Sequence, residues 1–196
     1  KQGREGSELS RLFEDVGTGI GMEVVARVTD GSRPIGRGIG PALEVRDVYQ
    51  VLRNDPDAPQ DLKEKALGFA ASMLEWDPGV ERGAGRGLAL EILSSGRALG
   101  ALERIVDLQG RHERPASPGD RIYEVTSDRS GIIETIDSTQ ISGIARTAGA
   151  PMDKSAGIDL LVRVGDNVSA GAPLYLIHGN VENDVRIAVE RSERDT

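Results

Sequence analysis

The stretch with the clearest chemical potential is a glycine-rich loop that precedes an amphipathic helix. Its sequence, GSRPIGRGIG, covers residues 31–40 and leads into Pro41, a residue that suits the first helical turn because no N–H is needed there. Free backbone N–H groups at such a loop can bind an anion. The G-x-G-x-G spacing matches neither G-x-G-x-x-G nor a P-loop. Two interpretations therefore stay open: a phosphate site, or a tight turn that needs positive φ angles.

The other residues that could do chemistry are far apart in the sequence. There are two histidines and no cysteine, which gives no zinc-site spacing. We expect His112 to be solvated in a charged linker and His178 to be a satisfied residue at the end of a strand. Arg86 lies in a second glycine patch, GAGRG at residues 83–87, where it could meet an anion at a helix start or only help to cap the helix. No Ser-His-Asp set is recognisable.

Composition excludes several classes of protein. The 196 residues suit one domain or two small ones. The absence of cysteine excludes disulfides and thiolate metal sites and fits a reducing, cytoplasmic compartment. A net charge of −8 argues against a nucleic-acid partner, and no apolar run is long enough for a membrane span. Small, negatively charged substrates are still compatible with this composition, since a local arginine can offset the net negative charge of the chain.

The first half of the chain is predicted to be one strand followed by helices. The β-branched run Glu23–Val28 predicts a buried strand. A helix is predicted from Pro41 to Leu52, and another to about Trp76 with Asp57 and Gln60 as its capping box. Two more helices are predicted at Leu88–Ser95 and Gly96–Gln109. The buried faces of the first two are expected to be apolar stripes: Ala42, Val45, Val48 or Tyr49, and Leu52; then Leu62, Ala66, Phe69, Ala70, Met73 and Leu74.

In the second half, after a polar, proline-bearing linker at residues 113–119, the spacing of apolar residues changes from the period of a helix to that of a strand. Strands are predicted at 122–126, 131–136, 157–164 and 173–178. Between them, Ser138–Ala148 predicts a helix with Ser138 as its N-cap and with Ile141, Ile144 and Ala145 facing inward.

Two long stretches resemble one enzyme family. These are TDGSRPIGRGIGPALEVRD, and GIARTAGAPMDKSAGIDLLVRVGDNVSAGAPLYLIH. In this order they are similar to motifs of the thymidine and pyrimidine-nucleoside phosphorylases. Pro41 stands where the pyrimidine enzymes have asparagine, and together with IARTAGAP it looks more like the archaeal AMP phosphorylases.

The resemblance implies phosphorolysis. Phosphate, the co-substrate, would attack the anomeric carbon of AMP and give adenine and ribose 1,5-bisphosphate; the alternative is a thymidine or pyrimidine-nucleoside phosphorylase. It also implies a homo-oligomer with no required cofactor and a small-molecule nucleotide or nucleoside substrate. The family's phosphate-cradle and base-binding motifs are not in this sequence. We therefore expect no catalytic or substrate-binding residue here and no activity of this chain alone.

The same resemblance sets the expected fold class, which is α+β. Residues 1–112 would be the tail of an α/β catalytic domain, with a strand and helices, and 113–119 a linker. Residues 120–196 would be a β-rich, barrel-sandwich-hybrid-like (hammerhead) C-terminal domain with one helix. Since the sequence starts at Lys1 in the style of a helix interior and ends in a charged run, we expect a piece of a longer protein whose last strand is truncated.

A partial monovalent-cation site is also implied by the resemblance. Related pyrimidine enzymes hold a cation such as K⁺ with loop carbonyls and a helix glutamate. The matching residues are Ser32 and Ile35, through their carbonyls, and Glu44, through its carboxylate. Hard oxygen donors of this kind suit such a cation. The alternative is that Glu44 only stabilises the first turn of its helix through the helix dipole.

A second class of function is a stand-alone, hammerhead-like binding module. The pattern VGDxVxxGxPL at residues 164–174 is similar to a turn of biotinyl and lipoyl carriers. Lys154 follows Met152 and Asp153, but the carrier's Met-Lys-Met turn is absent. We therefore expect Lys154 to be a surface residue.

Overall fold

The computed structural model describes the backbone of residues 2–195 and the side chains of residues 5–193. It divides into two compact units, residues 1–33 and residues 34–196. The linker predicted at 113–119 lies inside the second unit, and the domain division proposed from the sequence stays a prediction. No helix in the described residues is both long and apolar enough to cross a membrane.

The first unit consists of helix α1, Gln2–Gly19, and an irregular segment that follows it. The strand predicted at Glu23–Val28 is wrong: these residues are not in a sheet, and Val25 and Val28 are more than half exposed. The segment lies instead beside α1, where the Ala26 amide donates to Glu14 Oε1 at 3.2 Å. A β-branched run becomes a strand only when another strand pairs with it, and the described part of this unit offers only a helix.

The second unit begins with four helices that were predicted at nearly these positions. They are α2 Pro41–Leu52, α3 Gln60–Leu74, α4 Gly85–Ser94 and α5 Arg97–Gln109. Their shared core contains Val51, Ala58, Leu67, Ala89 and Leu93.

The predicted buried faces of these helices are partly wrong. In α2 the buried residues are Ala42, Leu43, Asp47 and Val51, whereas Val45 is more than half exposed. Helix α2 packs against the sheet at one end and against other helices at the other end. Different faces of the helix are therefore buried along its length, and a single apolar stripe cannot predict them. In α3 only Leu67 is fully buried, whereas Phe69 and Met73 are exposed.

The predicted capping box of α3 is also wrong. Pro59 is the N-cap residue, and no side chain caps this end of the helix. The Asp57 amide instead donates to Asp55 Oδ1, and Gln60 Nε2 donates to the Ala58 carbonyl. The proline at position 59 fixes the entry into the helix two residues later than the sequence pattern indicates.

The sheet of the second unit contains four antiparallel strands in the order β1-β4-β6-β2. Their bounds are β1 Gly38–Ile39, β2 Arg121–Thr126, β4 Gly157–Leu160 and β6 Pro173–Gly179. A separate two-stranded sheet pairs β3, Gly131–Ile132, with β5, Asn167–Val168. In the larger sheet Ile39 is opposite Ile158, and Ile177 is opposite both Ile158 and Tyr123. The end of the glycine-rich loop is therefore an edge strand of this sheet.

Two helices, α6 Ser138–Thr147 and α7 Glu182–Asp195, contribute to the sheet's core. The inward positions predicted for α6 are confirmed, since Ile141, Ile144 and Ala145 are buried. The predicted N-cap is wrong: Asp137 accepts hydrogen bonds from the amides of Thr139 and Gln140. An ionised carboxylate at this position accepts two amides more strongly than a hydroxyl does.

The prediction of one helix in this region is wrong as well, because α7 is a second one. It buries Val185, Ala188 and Ser192, and its remaining positions are mostly charged. The α+β class is confirmed by the mixture of seven helices and antiparallel strands in the described residues.

Candidate functional site

The glycine-rich loop is held by carboxylates of the chain itself. Asp47, buried in α2, accepts the amides of Arg37 and Gly38 on Oδ2 at 2.7 and 2.8 Å. Asp61 Oδ2 accepts the Gly36 amide at 3.1 Å. The loop amides that could have bound a phosphate thus already have anionic partners, which favours the interpretation as a tight turn. Two of the loop glycines, at 36 and 40, have the positive φ angles that this interpretation expects.

Arg46 connects this loop and helix to the sheet. Its guanidinium binds Asp159 on β4 through two hydrogen bonds of 2.5 and 2.7 Å, and it also donates to Asp47 Oδ1 at 2.9 and 3.1 Å. The hydrogen bond to Asp159 is the largest cause that raises the pKa of Arg46, and burial opposes it. The guanidinium therefore stays charged, and Asp47, Arg46 and Asp159 form a continuous ionic network. We call these three residues the loop-anchoring triad.

The three residues of the suggested cation site lie in different units. Ser32 belongs to the first unit, where its amide and hydroxyl both donate to Asp30 Oδ1 at 2.9 and 2.7 Å. Ile35 and Glu44 belong to the second unit. Glu44 Oε1 accepts the Gly40 amide at 3.0 Å, so this carboxylate caps the start of α2, as the alternative interpretation expects. Its second oxygen and the two carbonyls are still donors of the type that suits K⁺.

The backbone amides of the second glycine patch, like those of the first, donate to a carboxylate of the chain itself. Glu75 Oε1 accepts the amides of Gly83 and Gly85 at 3.0 and 3.1 Å at the start of α4. Arg86 binds Glu64 at 2.6 Å on the surface. An internal carboxylate therefore occupies the position at which an anion would be expected.

The remaining singled-out residues do not converge on one centre. His112 is exposed. His178 is buried, with Nδ1 3.2 Å from the Gly119 carbonyl and with Nε2 lacking a hydrogen-bond partner in the described residues. Lys154 is exposed, and its Nζ donates to the Pro151 carbonyl at 2.8 Å. Within the described residues, no three His, Cys, Asp or Glu side chains are grouped so that they could hold a metal ion.

Comparison with known proteins gives a consistent result. A family model described as the pyrimidine nucleoside phosphorylase C-terminal domain matches residues 132–195. A "Bifunctional ribose 1,5-bisphosphokinase-thymidine phosphorylase" of Azorhizobium caulinodans is 54% identical over 94% of this chain and 27% of its own length. A "Putative thymidine phosphorylase" of Methylococcus capsulatus is 48% identical over 97% of this chain and 37% of its own length. A bifunctional relative of Cupriavidus pinatubonensis is 52% identical over 92% of this chain and 30% of its own length.

The chain thus matches a part of the thymidine and pyrimidine-nucleoside phosphorylases that includes their C-terminal domain. It spans between 27% and 37% of the length of these three relatives. All three are bacterial, and none of their three names mentions AMP.

The family resemblance did not single out Asp47, which is the member of the loop-anchoring triad that accepts the loop amides. An aspartate within an amphipathic helix is usually read as a solvated residue. A signal was nevertheless present: the loop N-terminal to α2 offers several amides with no partner of their own, and such amides need an acceptor when they are buried. An acidic residue two turns into the next helix is within reach of them.

Proposed function

We propose that this chain is the C-terminal part of a phosphorylase that cleaves ribonucleoside 5′-monophosphates. Phosphate attacks C1 of the ribose, the bond to the base breaks, and the base leaves with a proton. The products from AMP are adenine and ribose 1,5-bisphosphate. This proposal goes beyond the match to this family, which fits a thymidine or pyrimidine-nucleoside phosphorylase at least as well.

The observation that supports a monophosphate substrate is the name shared by two of the relatives. That name joins a ribose 1,5-bisphosphokinase to a thymidine phosphorylase. Ribose 1,5-bisphosphate is the sugar that phosphorolysis of a ribonucleoside 5′-monophosphate releases. Phosphorolysis of thymidine would release 2-deoxyribose 1-phosphate, which has no 5′-phosphate and lacks the 2′-hydroxyl. A kinase for ribose 1,5-bisphosphate that is fused to a phosphorylase is chemically useful only if the phosphorylase forms ribose 1,5-bisphosphate.

The contribution of this chain to that reaction is proposed to be mechanical. The loop-anchoring triad joins the glycine-rich loop, α2 and β4 through charge-assisted hydrogen bonds, which are stronger than neutral ones. Loop, helix and sheet therefore move as one body. Such a body is suited to closing over a substrate held elsewhere in the enzyme, in a cytoplasmic homo-oligomer.

The test is base release by the product of the natural reading frame, with phosphate, from AMP, CMP, uridine and thymidine in parallel. We expect release from the monophosphates, with ribose 1,5-bisphosphate detected by ³¹P NMR as two phosphomonoester signals. Release from uridine or thymidine alone would instead support the pyrimidine-nucleoside alternative and contradict the argument from Pro41. The 196-residue chain by itself is expected to release no base, since it lacks the family's phosphate-cradle motif.

We also propose that the natural protein binds K⁺ with oxygens of the second unit, the Glu44 carboxylate and the Ile35 carbonyl. The proposal rests on the donor types, since a carboxylate and a backbone carbonyl both offer hard oxygens to such a cation. KCl should raise the melting temperature more than choline chloride at equal ionic strength. Glu44→Gln, which keeps an acceptor for the Gly40 amide, should remove this difference. An equal effect of both salts on the wild-type protein would overturn the cation site.

A further inference from the structure

A cavity of about 610 Å³ lies in the second unit, and no residue of the loop-anchoring triad belongs to its lining. Its floor is apolar and belongs to the sheet and α6, with Ile141, Leu160 and Tyr175 all buried. Its opposite wall is formed by β3, β5 and the segments that flank them, including Ile133 and Val168. This volume falls within the usual range for small-molecule pockets, roughly 300–1,000 Å³.

The wall of the cavity is fixed by backbone hydrogen bonds. The Ser127 amide donates to the Ala172 carbonyl at 2.9 Å, and the Gly171 amide donates back to the Ser127 carbonyl at 2.7 Å. Further along, the Ile133 amide donates to the Asp166 carbonyl at 2.9 Å, and the Gly165 amide donates to the Ile133 carbonyl at 2.8 Å. Because both ends of the wall are pinned, the cavity is already formed without a ligand.

The charges around the cavity are mainly acidic. The lining includes three acidic residues, Asp128, Glu134 and Asp137, and one basic residue, Arg129. The charge of Asp128 is offset by Arg129, 3.8 Å away, and that of Asp137 by the two α6 amides that it caps. Glu134 forms no salt bridge with any described residue. It is the one carboxylate of the lining whose charge is left uncompensated in the described part of the chain.

We propose that this cavity binds a small amphiphilic organic cation. The apolar body of the ligand packs on Ile141, Leu160 and Tyr175, and its ammonium group pairs with Glu134. The acidic lining repels phosphate, so this site takes a different class of molecule from the nucleotides and phosphate of the proposed reaction. The proposal does not depend on that reaction, because it rests on the shape and charge of this cavity alone.

The test uses a matched pair of probes on the ¹⁵N-labelled 196-residue chain. 1-Naphthylmethylammonium and 1-naphthoate have the same ring system and opposite charges. We expect the ammonium probe to shift the amide signals of residues 127–141, 160–162 and 168–175. We expect the carboxylate probe to bind at least about tenfold more weakly, because one charge-assisted contact is replaced by repulsion.

The anchor is tested with Glu134→Gln and with Glu124→Gln as its control. Both glutamates are exposed, so both variants should fold, but Glu124 lies on β2 outside the cavity lining. Glu134→Gln should weaken binding of the ammonium probe about three- to tenfold and leave 1-naphthoate unchanged or bound more tightly. Glu124→Gln should change neither. Equal affinity for the two probes, shifts outside the lining, or wild-type affinity of Glu134→Gln would each overturn the proposal.

Discussion

At the scale of single residues, carboxylates decide how the glycine-rich segments fold. Asp47, Asp61 and Glu75 each accept backbone amides that no secondary structure satisfies. A buried amide without a partner, such as that of Gly38 would be, costs about 1–3 kcal/mol, so Asp47, which accepts two amides, replaces a substantial penalty. The sequence showed the amide-rich loops clearly, but it could not show whether their acceptor is a ligand or the chain, because that depends on a distance in the folded state.

Asp47→Ala should be strongly destabilising. It leaves the amides of Arg37 and Gly38 without their acceptor and removes one partner of Arg46 inside the protein. Loss of one partner of a buried ionic network typically costs about 3–5 kcal/mol. Urea unfolding followed by circular dichroism measures this loss. Asp120→Asn, at an exposed aspartate, is the control and should stay within about 0.5 kcal/mol of the wild type; equal stability of the two variants would contradict the role of Asp47.

A second cluster gives a pH dependence that can be measured. Arg111 donates hydrogen bonds to Glu103 and Asp107 on α5. Its hydrogen bond, and next that of Tyr49, lower the pKa of Glu103 below its usual range. A carboxyl whose pKa is lower in the folded state stabilises the protein above its unfolded pKa, and this contribution is lost as the pH falls through the folded value.

Glu103→Gln should therefore lower the melting temperature at about pH 7 and have less effect at about pH 3. The effect should be small and should shrink in high salt, since the pair is exposed to solvent. Differential scanning calorimetry at low and high salt gives both comparisons. An effect that is the same at both pH values would show that the side chain acts through packing instead.

At the scale of elements, the helices of the second unit could be predicted well, whereas pairings between distant segments could not. Proline and glycine punctuate the helices, which explains why the bounds of α2 agree with the prediction. The pairing of β1 with β4 joins residues 38–39 to 158–159, and no local pattern contains that information. Helix α7 was missed because its sequence is charged on most faces; among its residues up to 193, whose side chains are described, only Val185, Ala188 and Ser192 are buried.

Gly38 on β1 lies directly against Leu43 of α2, and this makes it sensitive to substitution. A Cβ at this position would lie 2.5 Å from the carbonyl carbon of Leu43, a backbone atom that cannot rotate away. Gly38→Ala should therefore destabilise the protein by roughly 1–3 kcal/mol or more. Gly87→Ala is the matched control, since its Cβ would meet nothing within 4 Å inside α4 and alanine favours a helix by about 0.5–1 kcal/mol. Chemical denaturation should move the two midpoints in opposite directions.

At the scale of the whole molecule, the two units differ in how their backbone N–H and C=O groups are hydrogen-bonded. In the second unit, β4 lies between β1 and β6, and β6 between β4 and β2, so both strands have ladder partners on each side. In the first unit, the residues from 22 to 31 belong to no helix or sheet, and Val25 and Val28 are more than half exposed. The amide hydrogens of such a segment exchange with solvent after local opening that costs little free energy. Those of core strands exchange only when a larger part of the unit unfolds.

Hydrogen exchange followed by mass spectrometry should show this difference directly. Peptides from residues 22–31 should exchange within the earliest time points, and peptides from 157–160 and 173–179 should be the most protected of the chain. Addition of about 2 M urea should speed exchange in the second group by an amount that follows global unfolding, and leave the first group almost unchanged. Equal protection of the two groups would mean that residues 22–31 pair with another strand in solution, in which case the β-branched pattern of Glu23–Val28 would have indicated their structure correctly.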